Sequence, residues 1–405
     1  MRVRRDRARR RPVSTGLVAI VVGAVVAIAT AVAATKPAVD AAGSAAGTAV
    51  TYPDVVPGTP FNLATDEGSH PAWRVEWWYV TGWLQDPERD WVGFQVTFFR
   101  VRPGLAEANP SRFAPRQVMF AHAAIADPSL GTLRHAQRSA RQGFNLVGAR
   151  EGMLDVRIDD WTLTRHEDAY AAVVSGDDFA VDLTMQLAQP PLLHGPGGYS
   201  RKGPDEKSAS YYYSLPQLAV KGTVTIDGRE RLVEGSAWFD HEWSSHPMDA
   251  EARGWDWMGV NLANGAALMA FRMRAKDGGV RWAGATLRDA NGEVVMYEPD
   301  QVRWEPLAQW RSPRTGASYP VRWRVSLGNR IYEIDPLLED AELDSRASTG
   351  AIYWEGPITL RAVETADAEG GPSSDVEARG ETTTAKPVLG RGYLELTGYA
   401  APLDL

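Results

Sequence analysis

The chain has no cysteine. That excludes a disulfide framework, a thiolate nucleophile, a cysteine-type zinc site and lipid attachment at a lipobox cysteine. It also lacks a Gly-x-Ser-x-Gly elbow, a P-loop, a Gly-x-Gly-x-x-Gly fingerprint and a His-Glu-x-x-His pair. The usual serine hydrolases, nucleotide enzymes and zincins are thereby set aside. No long stretch has a 3.6-residue apolar period, so helices contribute little to the core. Beyond the first twelve residues acidic side chains outnumber basic ones. Those twelve hold seven arginines against one aspartate, so a chain of net charge −8 leaves −14 after its +6 head. Nucleic acid and anionic membrane surfaces are poor partners for a body so acidic.

Behind the basic head, residues 13–34 form an uncharged run rich in Val, Ala and Ile. Retained positive charge followed by an apolar segment is the pattern of a secretory signal or a single membrane anchor. The run is close to the roughly 20 residues needed to span hydrocarbon, and Ala31, Ala33 and Ala34 would suit a signal peptidase. A buried core helix would need a polar face, and this run has none. We therefore expect residues 1–34 to be a signal peptide or anchor helix and residues 35–59 a small-residue linker. The remainder is expected to lie outside the cytoplasm, secreted or held at the membrane by its N-terminal segment.

Residues 60–405 alternate between apolar and polar with period two. Phe179, Val181, Leu183, Met185 and Leu187 share one strand face, and Phe94, Val96 and Phe98 another. Asp227-Gly228, Asn264-Gly265, Asp277-Gly278 and Asn291-Gly292 punctuate the runs, and such pairs supply the positive φ of type I′ hairpins. Residues 193–210, dense in glycine and proline, read as a long loop of the kind that forms lids. Residues 364–384 read as an acidic surface insertion. Trp77-Trp78-Tyr79 opens one half, and Trp255-Asp256-Trp257 opens the next. The fold expected is all-β: two tandem antiparallel barrels, residues 60–245 and 246–405.

Three clusters could carry chemistry. In Arg74-Val75-Glu76-Trp77-Trp78-Tyr79 an extended strand places Arg74, Glu76 and Trp78 on one face. This reads either as a polar site within a barrel or as an Arg–Glu pair closing its end. In Trp238-Phe239-Asp240-His241-Glu242-Trp243, Phe239, His241 and Trp243 point one way and Trp238, Asp240 and Glu242 the other. Opposed acids and histidine make a metal site there improbable. His241 reads as a proton relay in an apolar pocket or as a structural histidine. In Gly254-Trp255-Asp256-Trp257, Asp256 reads as an acid of raised pKa or as a surface carboxylate. His122 lies in a strand-like run that could also face a pocket.

These strings resemble the AttH-domain family, which includes carotenoid 1,2-hydratases (hydroxyneurosporene synthases) and proteins labelled predicted secreted hydrolases. The resemblance runs through Glu76-Trp77-Trp78-Tyr79, His122-Ala123-Ala124, Gly198-Tyr199-Ser200-Arg201-Lys202-Gly203 and Tyr211-Tyr212-Tyr213-Ser214. It continues in residues 235–243, Gly254-Trp255-Asp256-Trp257, Tyr353-Trp354-Glu355-Gly356 and residues 392–399. It implies two lipocalin-like domains and, in the hydratase branch, cofactor-free protonation of an alkene followed by attack of water. The family's His-x-Trp falls on His241 and Trp243. Its Tyr-x-Asp pair has no counterpart around Leu268, Met269, Ala270 and Phe271, so the proton would come from Asp240, Asp256 or Glu76. Trp243, Trp257, Trp78, Tyr79, His122 and Tyr212 would line the pocket for an isoprenoid, carotenoid or lipid-like molecule, without metal or cofactor. The competing expectation is a lipid carrier of the cell envelope with the same pocket and no turnover.

Overall fold

The computed structural model describes residues 50–105, 107–363 and 387–403, and the alternating runs become strands over most of them. The signal or anchor segment, most of the linker and the acidic stretch 364–384 lie outside the described residues. Among the described residues no helix is long and apolar enough to cross a membrane.

Two antiparallel sheets part between Ser244 and Ala252. In the first, Val75–Gln85 is flanked on one side by Trp91–Val101, Val118–Ala126 and Arg134–Arg141. On the other side lie Arg229–Ser244, Ala209–Ile226 and Phe179–Gln186, and then shorter strands back to Val147–Ala149. In the second, Ala252–Leu262 is flanked by Ala267–Ala275, Val280–Arg288 and Val294–Tyr297. Its other neighbours are Gly390–Leu396, Ile352–Ala362, Arg330–Pro336, Ser318–Leu327 and Val302–Arg311. Both sheets follow one plan, a meander whose last long strand returns beside the first. One curls into a nearly closed barrel and the other into a half-barrel, a lipocalin-like all-β fold.

The hairpins differ in part from the expectation. Asp227 and Gly228 both have positive φ, 49° and 77°, as a type I′ turn requires. At Gly265, Gly278 and Gly292 the glycine alone is left-handed, and three residues separate the closing hydrogen bonds. Those are the longer loops that end in a glycine bulge. Residues 193–210 also differ from a free lid. Leu192–Leu193 and Tyr199–Arg201 both pair with Ala209–Ile226, which pins the loop to the sheet.

Alternation sorts each central strand between two environments. Trp78, Val80 and Leu84 pack inside the first sheet with Phe94, Phe98 and Phe239. Met258, Val260, Trp354 and Leu394 pack inside the second. The opposite faces meet in a third layer containing Tyr79, Tyr212, Trp238, Trp257, Phe271 and Tyr393. Gly93 permits this approach: a Cβ there would sit 2.6 Å from Pro357 and 2.7 Å from the Tyr393 hydroxyl. Trp83 Nε1 donates to the carbonyl of Gly392 across the same junction, at 2.8 Å.

Candidate functional site

Register places the first cluster inside the first sheet. Glu76 lies opposite Trp243 on one side and Arg100 on the other, and Trp78 lies opposite His241. The Glu76 carboxylate is fully buried. It accepts from Arg100 Nε at 2.7 Å, His241 Nε2 at 3.0 Å, Ser69 Oγ at 3.1 Å and His70 Nδ1 at 2.8 Å. Its ion-pair partner is thus Arg100, 24 residues on, and not Arg74 from its own strand. Burial pushes this carboxyl up, but the Arg100 charge and the two histidine bonds outweigh burial and hold it well below the usual range. Burial, opposed by Glu76, lowers His241. His70 is raised because Asp66 and Glu76 outweigh its burial. A neutral His241 donating from Nε2 accepts from Tyr213 Oη at Nδ1, 3.3 Å away. Trp78 stacks on His241 with centroids 4.9 Å apart, and His70 stacks on Trp243 at 3.8 Å.

One donor atom from each of His70, Glu76 and His241 lies within reach of a common point, as a metal ion would need. Both Glu76 oxygens are already committed, one of them to a guanidinium. This closes the group on itself as a hydrogen-bonded network.

The layer between the sheets is a second and different polar group. Asp240 projects from the opposite face of the strand that carries His241. It accepts from Ser214 Oγ, from Trp238 Nε1 at 2.7 Å and from Tyr212 Oη at 2.8 Å. Tyr212 in turn accepts from Trp257 Nε1 at 3.0 Å, and Ser214 meets His194 Nε2 at 2.6 Å. Serine sits in the middle of this chain and gives its proton to the carboxylate. That differs from the order of a Ser-His-Asp relay, in which histidine stands between serine and acid. Burial pushes Asp240 up to about 7 against its three donors.

Across the layer, Glu355 and Glu395 are direct partners on adjacent strands, Glu355 buried and Glu395 half-buried. Trp255 Nε1 donates to Glu395 at 2.9 Å. Glu355 faces the Tyr79 and Tyr353 hydroxyls, although its Oε1 and the Tyr79 hydroxyl make no hydrogen bond of good geometry among the described residues. Burial, then the facing Glu395 charge, pushes Glu355 well above the carboxylate range, and burial raises Glu395 to about 7. Like charges opposite each other and largely shielded from solvent leave a proton on the pair at neutral pH. Lys202 Nζ lies 3.0 Å from Glu242 and within 4.7 Å of the Tyr212 and Phe271 ring centres. The half-buried Trp77, Met248, Trp255 and Trp282 border the layer.

A family model described as AttH-like matches residues 54–399. The chain belongs to the AttH-like family. Among solved structures, an AttH protein from Nitrosomonas europaea is similar at 43% identity. The match covers 86% of this chain and 99% of that one, with a TM-score of 0.76. Kievitone hydratase from Nectria haematococca shares the fold at 15% identity and a TM-score of 0.61, over 87% of this chain and 97% of its own. The search of curated proteins found no match.

In this AttH-like chain, the ten residues singled out from sequence separate by face. Glu76, Trp78, His241 and Trp243 come together inside the first sheet. Tyr79, Tyr212, Asp240 and Trp257 come together in the layer. Of the three acids expected to work with His241, only Glu76 touches it. Asp256 faces the interior of the second sheet. There it meets Arg272 Nε at 2.6 Å, Arg274 Nε at 3.2 Å and the Tyr399 hydroxyl at 2.9 Å. His122 bridges the sheets, with Nδ1 2.7 Å from Tyr353 Oη and Nε2 2.9 Å from Ser348 Oγ. Its burial lowers it to about 3, so it stays neutral at physiological pH. Glu355, Glu395, Tyr353, Tyr393, Lys202 and His194 did not emerge from sequence as site residues. The signal was present: Tyr353-x-Glu355 and Tyr393-x-Glu395 each place a tyrosine and an acid on one strand face.

The layer predicts an unusual stability profile. Asp240, Glu355 and Glu395 keep protons that the unfolded chain releases at ordinary carboxylate pKa values. Their contribution is complete below that range and is lost as pH rises through the raised values, about 7 for Asp240 and Glu395 and well above the carboxylate range for Glu355. The depressed Glu76 has the opposite sign, but its loss falls at strongly acid pH. His122, His194 and His241, held neutral by burial, act with the opposite sign below about pH 6.5, so the carboxyls are read by difference. Glu355→Gln should gain on wild type by about 1 kcal/mol or more between pH 5 and pH 8; urea-unfolding midpoints measure it, and a difference that does not change with pH contradicts the assignment.

Proposed function

We propose that this AttH-like protein is a cofactor-independent acid–base catalyst that adds water to an alkene of an apolar small molecule, isoprenoid or lipid-like, held between the two sheets. The observation that carries the proposal is the Glu355–Glu395 pair, two register-matched carboxyls bordered by aromatic side chains, with Glu355 itself buried. A protonated carboxyl is the group such a reaction needs.

In the proposed step Glu355 transfers its proton to one alkene carbon, and the π electrons form the new C–H bond. The cation on the other carbon faces aromatic rings whose π electrons stabilise positive charge. A water molecule attacks that carbon and its surplus proton passes to Glu395, which Trp255 holds in place. Transfer of that proton to Glu355 resets the pair, so atoms and charge balance over one turnover. The rim of Trp77, Met248, Trp255 and Trp282 gives an apolar molecule its way in. Kievitone hydratase shows that a chain bearing the name hydratase has this fold; the chemistry here is argued from the carboxyls.

The test begins with the full chain purified from its native membranes and mass spectrometry of what it carries. The expected result is an apolar alkene that gains the mass of one water on incubation with the protein. A bound lipid that never changes would establish a carrier instead.

A further inference from the structure

A cluster of exposed aromatic and basic side chains lies at the end of the first sheet formed by Val101, Val118 and Arg141, away from the proposed catalytic layer. Phe113 is 66% exposed, Leu146 58%, Phe144 44% and Leu105 44%. Phe113 and Phe144 lie 5.2 Å apart between ring centres. Arg141 stands over both rings, at 4.9 and 5.0 Å, and Arg112 over Phe144 at 5.2 Å. Phe144 and Asn145 hold φ of 58° and 59°, a left-handed backbone uncommon for a bulky residue, and this tip carries Phe144 and Leu146 into solvent. Arg112, Arg116 and Arg141 form no ion pair among the described residues, although the chain is rich in acids. Val50 and Tyr52, where the described chain begins, pack against Gly104 in the same loop, and the Tyr52 hydroxyl donates to the Arg102 carbonyl at 2.8 Å.

We infer that this cluster is a membrane-docking surface, with Phe113, Phe144, Leu146 and Leu105 entering the interfacial region of a bilayer and Arg112, Arg116 and Arg141 meeting anionic headgroup phosphates. Exposed Phe and Leu side chains bury at the boundary between headgroups and acyl chains, and guanidinium groups bind phosphate in a fork geometry. Several basic side chains near an anionic surface add substantially to attachment. The net acidity of the whole chain does not oppose this, because headgroup contacts act within about a Debye length, roughly 8 Å at physiological salt.

The absence of cysteine makes a direct test possible. Single cysteines are introduced by Leu146→Cys and Phe113→Cys within the cluster, and by Leu232→Cys as a control, since Leu232 is 69% exposed on the hairpin at the far end of the sheet. Each full-length variant carries a polarity-sensitive dye and is reconstituted into vesicles of phosphatidylcholine with or without phosphatidylglycerol. The dyes at 146 and 113 should blue-shift and be quenched by lipid-borne quenchers when phosphatidylglycerol is present, and the dye at 232 should not. Arg112→Glu with Arg141→Glu should abolish the shift. Spectra at 146 and 113 that match those at 232, or that ignore phosphatidylglycerol, overturn the inference. A blue shift without lipid that grows with protein concentration overturns it in favour of a contact between two copies of this chain.

Discussion

Glu355→Gln should lower the rate of hydration by about a hundred- to ten-thousandfold, the range associated with a positioned general acid. The glutamine keeps the shape of the side chain but carries no transferable proton. Glu395→Gln should slow turnover as well, since it removes the acceptor of the water's surplus proton, and it should also shift the profile. It removes the facing charge that helps hold the proton on Glu355, so the alkaline limb of the rate profile should move to lower pH. The wild-type profile should fall as pH rises through the titration of the pair. Its apparent value belongs to both carboxyls together. Steady-state rates from pH 5 to pH 9 for the three proteins decide the matter. A Glu355→Gln variant with unimpaired turnover would remove the acid from the mechanism, and identical profiles for wild type and Glu395→Gln would uncouple the pair.

Arg100→Met should be the most damaging single change to the fold, costing about 3–5 kcal/mol. The guanidinium is buried and bonds Glu76, the carbonyls of Trp73 and His70, and the Gln117 side chain. Removing it leaves the Glu76 charge in the interior without its cation and strips a donor from three other acceptors. Arg100→Lys should not rescue the fold, because one ammonium cannot reproduce a planar fork. Adding Glu76→Leu to Arg100→Met should recover part of the loss, since the uncompensated charge is then gone. Urea denaturation of the single and double variants measures this. A double variant no more stable than Arg100→Met would mean that the other acceptors, and not Glu76, dominate the cost.

The two groups affected by these substitutions explain what a single sequence can reveal about a β protein. Period two was enough to separate His241 and Trp243 from Asp240 and Glu242, and it also argued against a metal held by those neighbours. It did not bring Glu76 to His241, which is 165 residues away. That contact exists because the last long strand of the first sheet returns beside the first and pairs Trp78 with His241. The Tyr-x-Glu strings lay in view in the resemblance, yet a partner acid was sought on the strand at Ala267–Ala275. The carboxyls lie instead on the two strands that close the second sheet.

What the sequence alone determined was local and periodic: an all-β chain, its AttH-like membership, and which neighbouring side chains share a strand face. Tertiary structure decided which faces meet. Alternation assigns a residue to one of two sides, but only strand order and register say whether that side is a sheet's own interior or the junction with the other sheet. Asp240 and Asp256 both flank tryptophans in sequence. The first enters the layer between the sheets, where burial raises its pKa, and the second meets two arginines inside the second sheet. Which of these surroundings each aspartate meets is set by long-range strand pairing rather than by the residue or its neighbours along the chain.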